Sequence, residues 1–267
     1  MRLWYQSPAE DWNSALPLGN GKLGAMVFGG PVAERIQLNE DSVWSGGFRD
    51  RVNPDCKNNL PEIRRLLREG DIAQAENLAT LAMAGTPEFE RMCQTLGDIY
   101  LTMENQAGEV EHYTRQLDLD NALCTVSYTS GGVDYTRETY ISAPHNVMVV
   151  RLGSGGKGGV SFQVRMHRGR FTDGTFQDKE QNAIYYTGGE GIRFCSMLRA
   201  SAVGGTVEVV GEYLVVKNAD QATLTWTAAT TYRVEDPVEE CRRVLDAASL
   251  PERELWQAHL QDYQALY

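Results

Sequence analysis

Residues 122–140 read ALCTVSYTSGGVDYTRETY, and this stretch decides the fold class. Two runs rich in β-branched and aromatic residues, 122–128 and 133–140, flank the glycine pair in the SGG of residues 130–132. Runs of this composition bounded by a glycine turn are typical of a β-hairpin. The stretch therefore predicts two strands that pair antiparallel.

The same pattern recurs along most of the chain. Further short strands are predicted at 23–28, 34–39, 99–103, 147–152, 160–166, 183–187, 192–198, 206–210, 213–217 and 222–228. Parallel strands need a long crossover, usually a helix, between successive strands, and the stretch from residue 97 to 231 contains no such helical pattern. The sequence therefore predicts a mainly β protein, built as a two-sheet antiparallel β-sandwich.

A helical hairpin is predicted as an insertion in this β background, at about 61–84. Pro61 is expected to begin the first helix and Gly70 to end it, since proline suits the first helical position and glycine the C-terminal cap. Asp71 is expected to cap a second helix, which stops at Gly85.

The end of the chain is also helical in pattern. Asp236 and Pro237 form an N-terminal capping signal, and Pro251 begins a second helix whose apolar positions still recur at Tyr267. A helix that stops in mid-pattern is expected of a chain that has been cut. The predicted organisation is a β-sandwich domain over 1–235 followed by a helical segment over 236–267.

Composition excludes several classes of protein. The 267 residues include 25 Lys+Arg and 36 Asp+Glu, a net charge of −11, and 42% hydrophobic residues, which favours a folded globular chain over a disordered one. Nucleic acid is not expected as a partner, because no run of Lys and Arg exceeds two residues. No membrane association is expected either, because no run of 18 apolar residues exists. The N-terminus lacks the apolar segment of a signal peptide, so we expect a cytoplasmic protein unless a leader has been removed.

Cysteine and histidine spacing predicts neither metal nor cofactor. The five cysteines are far apart, without a Cys-x-x-Cys pair, which is typical of reduced thiols in the core. The four histidines show no metal-ligand spacing either.

The candidate site is the segment LNEDSVWSGG, residues 38–47, where Asn39, Glu40, Asp41 and Trp44 are candidates for contact with a carbohydrate or with a neighbouring domain. Carboxylates and amides bind sugar hydroxyls, and an indole stacks on the apolar face of a sugar ring. The alternative is a loop that caps its own backbone, with Trp44 in the core. Adjacent strand residues face opposite sides, so we do not expect Glu40 and Asp41 to act as a glycosidase acid/base pair.

Two long motifs carry a family resemblance. Residues 12–29, WNSALPLGNGKLGAMVFG, and 34–47, ERIQLNEDSVWSGG, resemble the N-terminal domain of glycoside hydrolase family 95. Shorter similarities follow in order: QTLGD at 94–98, YTRQLDL at 113–119, YTRE at 135–138 and AHLQDY at 258–263. Members of that family are α-L-fucosidases, and some act on α-L-galactosides.

The resemblance implies a β-sandwich that leads through linker helices into an (α/α)6 catalytic barrel. In such enzymes a general-acid Glu, and an Asp and Asn that activate water, lie in the barrel and hydrolysis inverts the configuration. None of these residues maps onto this chain, so the chain alone is expected to be inactive and to have a structural, interface-forming role.

The resemblance also implies partners. These are a C-terminal catalytic barrel of the same protein and, in the intact enzyme, a fucosylated or galactosylated oligosaccharide. An isolated domain would expose the apolar face that meets the barrel, so self-association is expected as well. The alternative function is a free-standing carbohydrate-binding module that uses Asn39, Glu40 and Trp44.

Overall fold

The computed structural model describes residues 1–104, 106, 108–169 and 171–267. The strands are β1 (Arg2–Tyr5), β2 (Leu16–Gly19), β3 (Leu23–Val27), β4 (Ala33–Glu40), β5 (Gly97–Met103), β6 (Val110–Asp118), β7 (Leu123–Ser130), β8 (Val133–Ser142), β9 (Val147–Ser154), β10 (Val160–His167), β11 (Gly174–Asp178), β12 (Ala183–Gly188), β13 (Phe194–Val203), β14 (Thr206–Val210), β15 (Tyr213–Ala219) and β16 (Gln221–Thr230). The helices are α1 (Cys56–Glu69), α2 (Ile72–Met83), α3 (Pro237–Ala247) and α4 (Glu252–Leu266).

The strands form two antiparallel sheets, which confirms the predicted sandwich. One sheet has nine strands in the order β1-β6-β7-β8-β9-β16-β13-β12-β11, and the other has seven in the order β14-β15-β10-β5-β4-β3-β2. The hairpin predicted from residues 122–140 is β7–β8, paired from Cys124 opposite Thr139 to Ser130 opposite Val133. Gly131 and Gly132 at its turn both have positive φ, which a tight two-residue turn requires.

The main core lies between the two sheets. Alternate residues of the strands point inward, as in β7, and Trp226 is fully buried, with its Nε1 donating to the Ser196 hydroxyl at 2.8 Å. An ion pair also joins the sheets there: the Arg137 guanidinium of β8 lies 2.6 Å from the Glu34 carboxylate of β4, and both side chains are buried. Burial raises the pKa of Glu34, and Arg137 opposes that effect.

Helices α3 and α4 cover the outer face of the nine-stranded sheet. Tyr140 and Val149 of the sheet pack there against Cys241, Leu245 and Leu255 of the helices. The predicted capping of α3 is confirmed, since an Asp236 carboxylate oxygen accepts from the Val238 and Glu239 amides at 2.9 and 3.1 Å. Helices α3 and α4 are therefore fixed to the sandwich.

The helical insertion differs from the prediction at its start. Helix α1 begins at Cys56, and Pro61 lies inside it, where it removes the one backbone hydrogen bond that its amide would otherwise donate. The other boundaries agree with expectation. Gly70 ends α1 with a φ of 83°, and the Asp71 side chain accepts from the Gln74 amide at 3.2 Å.

All five cysteines are free thiols, but two of them are not in the core. Cys124, Cys195 and Cys241 are buried, whereas Cys56 is half-buried and Cys93 is exposed, because both lie in the helical insertion and its connections. Among the described residues, no cluster of His, Cys, Asp and Glu could hold a metal ion, and no helix is long and apolar enough to cross a membrane.

Candidate functional site

A cleft of about 520 Å³ lies at the end of the sandwich where the chain leaves β4. Four parts of the chain line it: the segment after β4 as far as Arg51, residues Glu90 and Arg91 before β5, Ile192 before β13, and residues Tyr232 and Arg233 after β16. The predicted candidates Asp41 and Trp44 are among the lining residues. The candidate segment therefore forms one wall of this cleft, at the end of the sandwich domain.

Glu40 lies behind the cleft, as the last residue of β4. Its carboxylate is buried and accepts from the Ser42 amide at 2.8 Å and from the Ser42 hydroxyl at 2.7 Å. The Ser42 hydroxyl also lies 2.6 Å from the Thr230 hydroxyl at the end of β16. Burial raises the pKa of Glu40, while the bonds from Ser42 favour the ionised form.

Arg233 joins both candidate carboxylates. Its Nη1 lies 2.6 Å from Glu40 Oε1 and 2.8 Å from Asp41 Oδ1, and its Nη2 lies 2.7 Å from Asp41 Oδ2. This two-pronged contact lowers the pKa of Asp41. We call Glu40, Asp41, Ser42, Thr230 and Arg233 the carboxylate clamp.

The carboxylate clamp corrects one expectation about Glu40 and Asp41. Opposite orientation was expected because both were placed in a strand, but β4 ends at Glu40 and the chain turns at Asp41. Both carboxylates therefore reach the same guanidinium. Because one guanidinium bridges both carboxylates, the arrangement is suited to holding the loop in place. Neither carboxylate is left free to donate a proton to a glycosidic oxygen.

Trp44 is neither fully buried in the core nor fully exposed. It is half-buried at the cleft, its Nε1 donates to the Asp41 carbonyl at 3.3 Å, and its backbone forms an isolated bridge with Cys93. The alternative that places Trp44 in the core is therefore wrong, whereas Trp226 of β16 is fully buried there. Trp44 and the exposed Tyr232 are aromatic side chains lining the cleft, and such rings can stack on a sugar.

Asn39 is not brought to the cleft. Buried residues of β4 alternate toward the core at Ile36, Leu38 and Glu40, so Asn39 faces the outer side of the seven-stranded sheet, paired with Gly24 of β3. Tyr232 and Arg233 were missed from the sequence. Arg233 is 193 residues from Glu40, and no local motif indicates that the two side chains meet.

The chain matches a family model and several known proteins. The model described as "Glycosyl hydrolase family 65, N-terminal domain" matches residues 3–235. "Alpha-L-fucosidase 2" of Arabidopsis thaliana is 31% identical over 100% of this chain and 36% of its own length. "Probable alpha-fucosidase A" of Aspergillus oryzae is 27% identical over 99% of this chain and 40% of its own length.

Among solved structures, a "Putative kojibiose phosphorylase from human microbiome" superposes with a TM-score of 0.56 at 10% identity, covering 98% of this chain and 37% of that one. This likeness shows a shared fold. The chain thus spans well under half the length of each of these proteins. It belongs to the family described as the N-terminal domain of glycosyl hydrolase family 65.

Proposed function

We propose that the chain is the N-terminal sandwich domain of an α-L-fucosidase-like glycoside hydrolase of family 95, and that it acts as a structural and interface domain. The observation that carries this proposal is the 31% identity to an α-L-fucosidase over the whole chain, within only 36% of that relative. The motif at residues 34–47 favours family 95 over other glycoside hydrolase families with the same β-sandwich domain. Fucosylated or galactosylated oligosaccharides are the proposed substrates of the intact enzyme.

The carboxylate clamp gives the domain its proposed role at the interface. It fixes the loop after β4 to the end of β16, and the chain continues from there directly into α3. A loop held at two points is pre-organised to contact a catalytic domain that follows the linker helices. Trp44 and Asp41 would then border the sugar site from the sandwich side.

The first test is activity on an aryl α-L-fucoside. The 267-residue chain alone is expected to give no turnover, since Arg233 holds Glu40 and Asp41, the two carboxylates of the candidate site, away from an acid/base role. A fusion of residues 1–267 to the part of the Arabidopsis relative beyond its matched segment is expected to hydrolyse the fucoside. Turnover by the chain alone that survives stringent purification would contradict the proposal, as would an inactive fusion.

A carbohydrate-binding module is the second candidate, because the cleft with Trp44 and Tyr232 is open in the chain by itself. Calorimetric titration with a fucosylated oligosaccharide separates the two functions. The binding-module function would be supported if the chain gives a heat of binding that is lost in Trp44→Ala and unchanged in Trp12→Ala. Trp12 is a suitable control because it is exposed and lies outside the cleft. If no heat of binding is detected at millimolar sugar, the binding-module function is excluded and the interface role remains.

A further inference from the structure

Residues 43–94 leave the sandwich between β4 and β5 and form an arm, which ends in the helices α1 and α2. Its stem consists of residues 43–55 going out and 84–94 coming back. Backbone bonds join the two sides: the Gln94 amide donates to the Val43 carbonyl and the Ser45 amide to the Met92 carbonyl, both at 2.9 Å. The arm is thus an ordered extension of the domain.

Arginine and asparagine side chains reinforce the stem. Arg49 Nη2 donates to the Phe89 carbonyl at 2.6 Å, and Arg51 Nε to the Pro87 carbonyl at 3.0 Å. Asn53 Nδ2 donates to the Ala84 carbonyl at 3.1 Å, where α2 ends. Charge-assisted bonds to carbonyls at successive levels hold the helices in a fixed direction relative to the sandwich.

The two helices pack on each other and not on the sandwich core. Their buried side chains are Ile63, Leu66, Ala75 and Ala82. Within the described part of the chain, neither apolar cluster of the sandwich includes a residue of α1 or α2. Helices of 14 and 12 residues are near the length at which an isolated helix is marginal, so most of their stability must come from packing.

The arm displays an unusual amount of apolar surface. Its exposed large apolar side chains are Phe48, Val52, Leu67, Ile72, Leu81, Met83, Phe89 and Met92. Exposed large apolar side chains gathered on one part of a domain are typical of a protein–protein contact.

We infer that the arm is the docking surface for the second domain of a longer chain, to which it presents its exposed apolar side chains. This inference rests on the proposed function. The match covers 36% and 40% of the two α-fucosidase relatives, so about 60% of each relative lies outside it. A domain formed by that remaining part is the proposed partner of the arm. The arm also lies on the side of the candidate site, since Arg49, Arg51 and Arg91 of its stem line the cleft. A domain docked on the arm therefore covers the cleft.

Leu81→Glu tests this inference, with Val210→Glu as the matched control. Both residues are exposed apolar side chains, at 69% and 55%, and Val210 lies on strand β14 outside the arm. In the fusion to the Arabidopsis segment, Leu81→Glu is expected to speed thermal inactivation of fucosidase activity by roughly tenfold, the loss expected when one buried leucine contact is replaced by a charge. Val210→Glu is expected to leave the inactivation rate unchanged.

Measurements on the 267-residue chain guard against a folding defect. The melting temperature of Leu81→Glu should match that of the unsubstituted chain, because the Leu81 side chain is largely exposed there and the bond from Asn53 goes to its backbone carbonyl. Equal inactivation of the two fusion variants would overturn the inference and leave the proposed function intact, whereas an inactive parent fusion would remove both. Sedimentation of the parent fusion as a dimer that Leu81→Glu dissociates would assign the arm to a second copy, and would overturn the inference too.

Discussion

The contact between Arg233 and Glu40 is the residue-scale feature on which the candidate site depends. Glu40 has 4% of its side chain exposed and Arg233 has 35%, so a nearly buried carboxylate is neutralised by a cation that still reaches solvent. Ser42 supplies the remaining hydrogen bonds of Glu40. Such an arrangement fixes geometry more than it adds stability, since desolvation of the charges offsets much of their attraction.

Arg233→Met is expected to destabilise the chain, because it leaves the Glu40 charge buried without a cation. We expect a loss of about 1–3 kcal/mol in the free energy of unfolding, below the value for a fully buried pair because Arg233 is partly solvated. Urea unfolding measures it. Adding Glu40→Gln to Arg233→Met should restore part of the loss, since the unpaired charge is then gone.

Arg243→Met is the control for that prediction. Arg243 pairs with Glu240 on the surface of α3, so its removal should change the free energy of unfolding by less than about 0.5 kcal/mol. An equal loss in the free energy of unfolding for the Arg233 and Arg243 variants would show that the carboxylate clamp does not stabilise the fold.

Helix α4 shows at the element scale how a surface element is anchored. The buried His259 ring lies among Tyr140, Trp256 and Tyr263, and its Nε2 donates to the Asn121 carbonyl at 2.9 Å. The Tyr263 hydroxyl donates to the Leu119 carbonyl at 2.7 Å. Because α4 is fixed at its middle, the chain leaves the sandwich in a defined direction.

Burial lowers the pKa of His259 below its ordinary 6.5, which makes the stability of the chain depend on pH. As pH falls below 6.5, the unfolded chain binds this proton before the folded chain does, so stability falls until the lowered pKa is passed. His259→Gln should flatten this dependence, and the exposed His167→Gln should leave it unchanged. Urea unfolding between about pH 5 and 7.5, across the ordinary histidine pKa, measures it; parallel curves for His259→Gln and the unsubstituted chain would contradict it.

At the scale of the whole molecule, the sandwich and the arm have different sources of stability. The sandwich shares one core between its sheets and an inter-sheet ion pair, whereas the described residues of α1 and α2 belong to neither apolar cluster of the sandwich. Structural units with few buried apolar contacts open at lower free energy than the core. The arm should therefore open without global unfolding.

Hydrogen exchange on the 267-residue chain tests that expectation. Amides of α1 and α2 should exchange through openings several kcal/mol below the global free energy of unfolding, and those of β9 and β16 only near it. The matched comparison is α3, a helix of similar length that packs on the sandwich, whose amides should be protected more strongly. Equal protection of α1 and α3 would mean that the arm shares the stability of the core.

Parts of the fold and the site were predictable because their causes are local. The glycine turn of β7–β8, the αL end of α1 at Gly70 and the cap of α3 at Asp236 each depend on neighbouring residues. Pro61 was misleading as a start signal, because a helix that already contains a turn tolerates the loss of one hydrogen bond. Asp41 and Trp44 were chosen as candidates because one short segment combines carboxylates with an indole, and both line the cleft.

The sequence by itself determined the two-sheet class, the helical insertion and the segment that carries the candidate site, because strand periodicity, caps and turns act over a few residues. Only the tertiary structure decided that Arg233 meets Glu40 across 193 residues, that Asn39 faces away from the cleft, and that α1 and α2 lie outside the core. These outcomes depend on strand order and register, which arise from the packing of distant segments. Local pattern cannot specify them, because the free energy that selects them is gained only when the sheets come together.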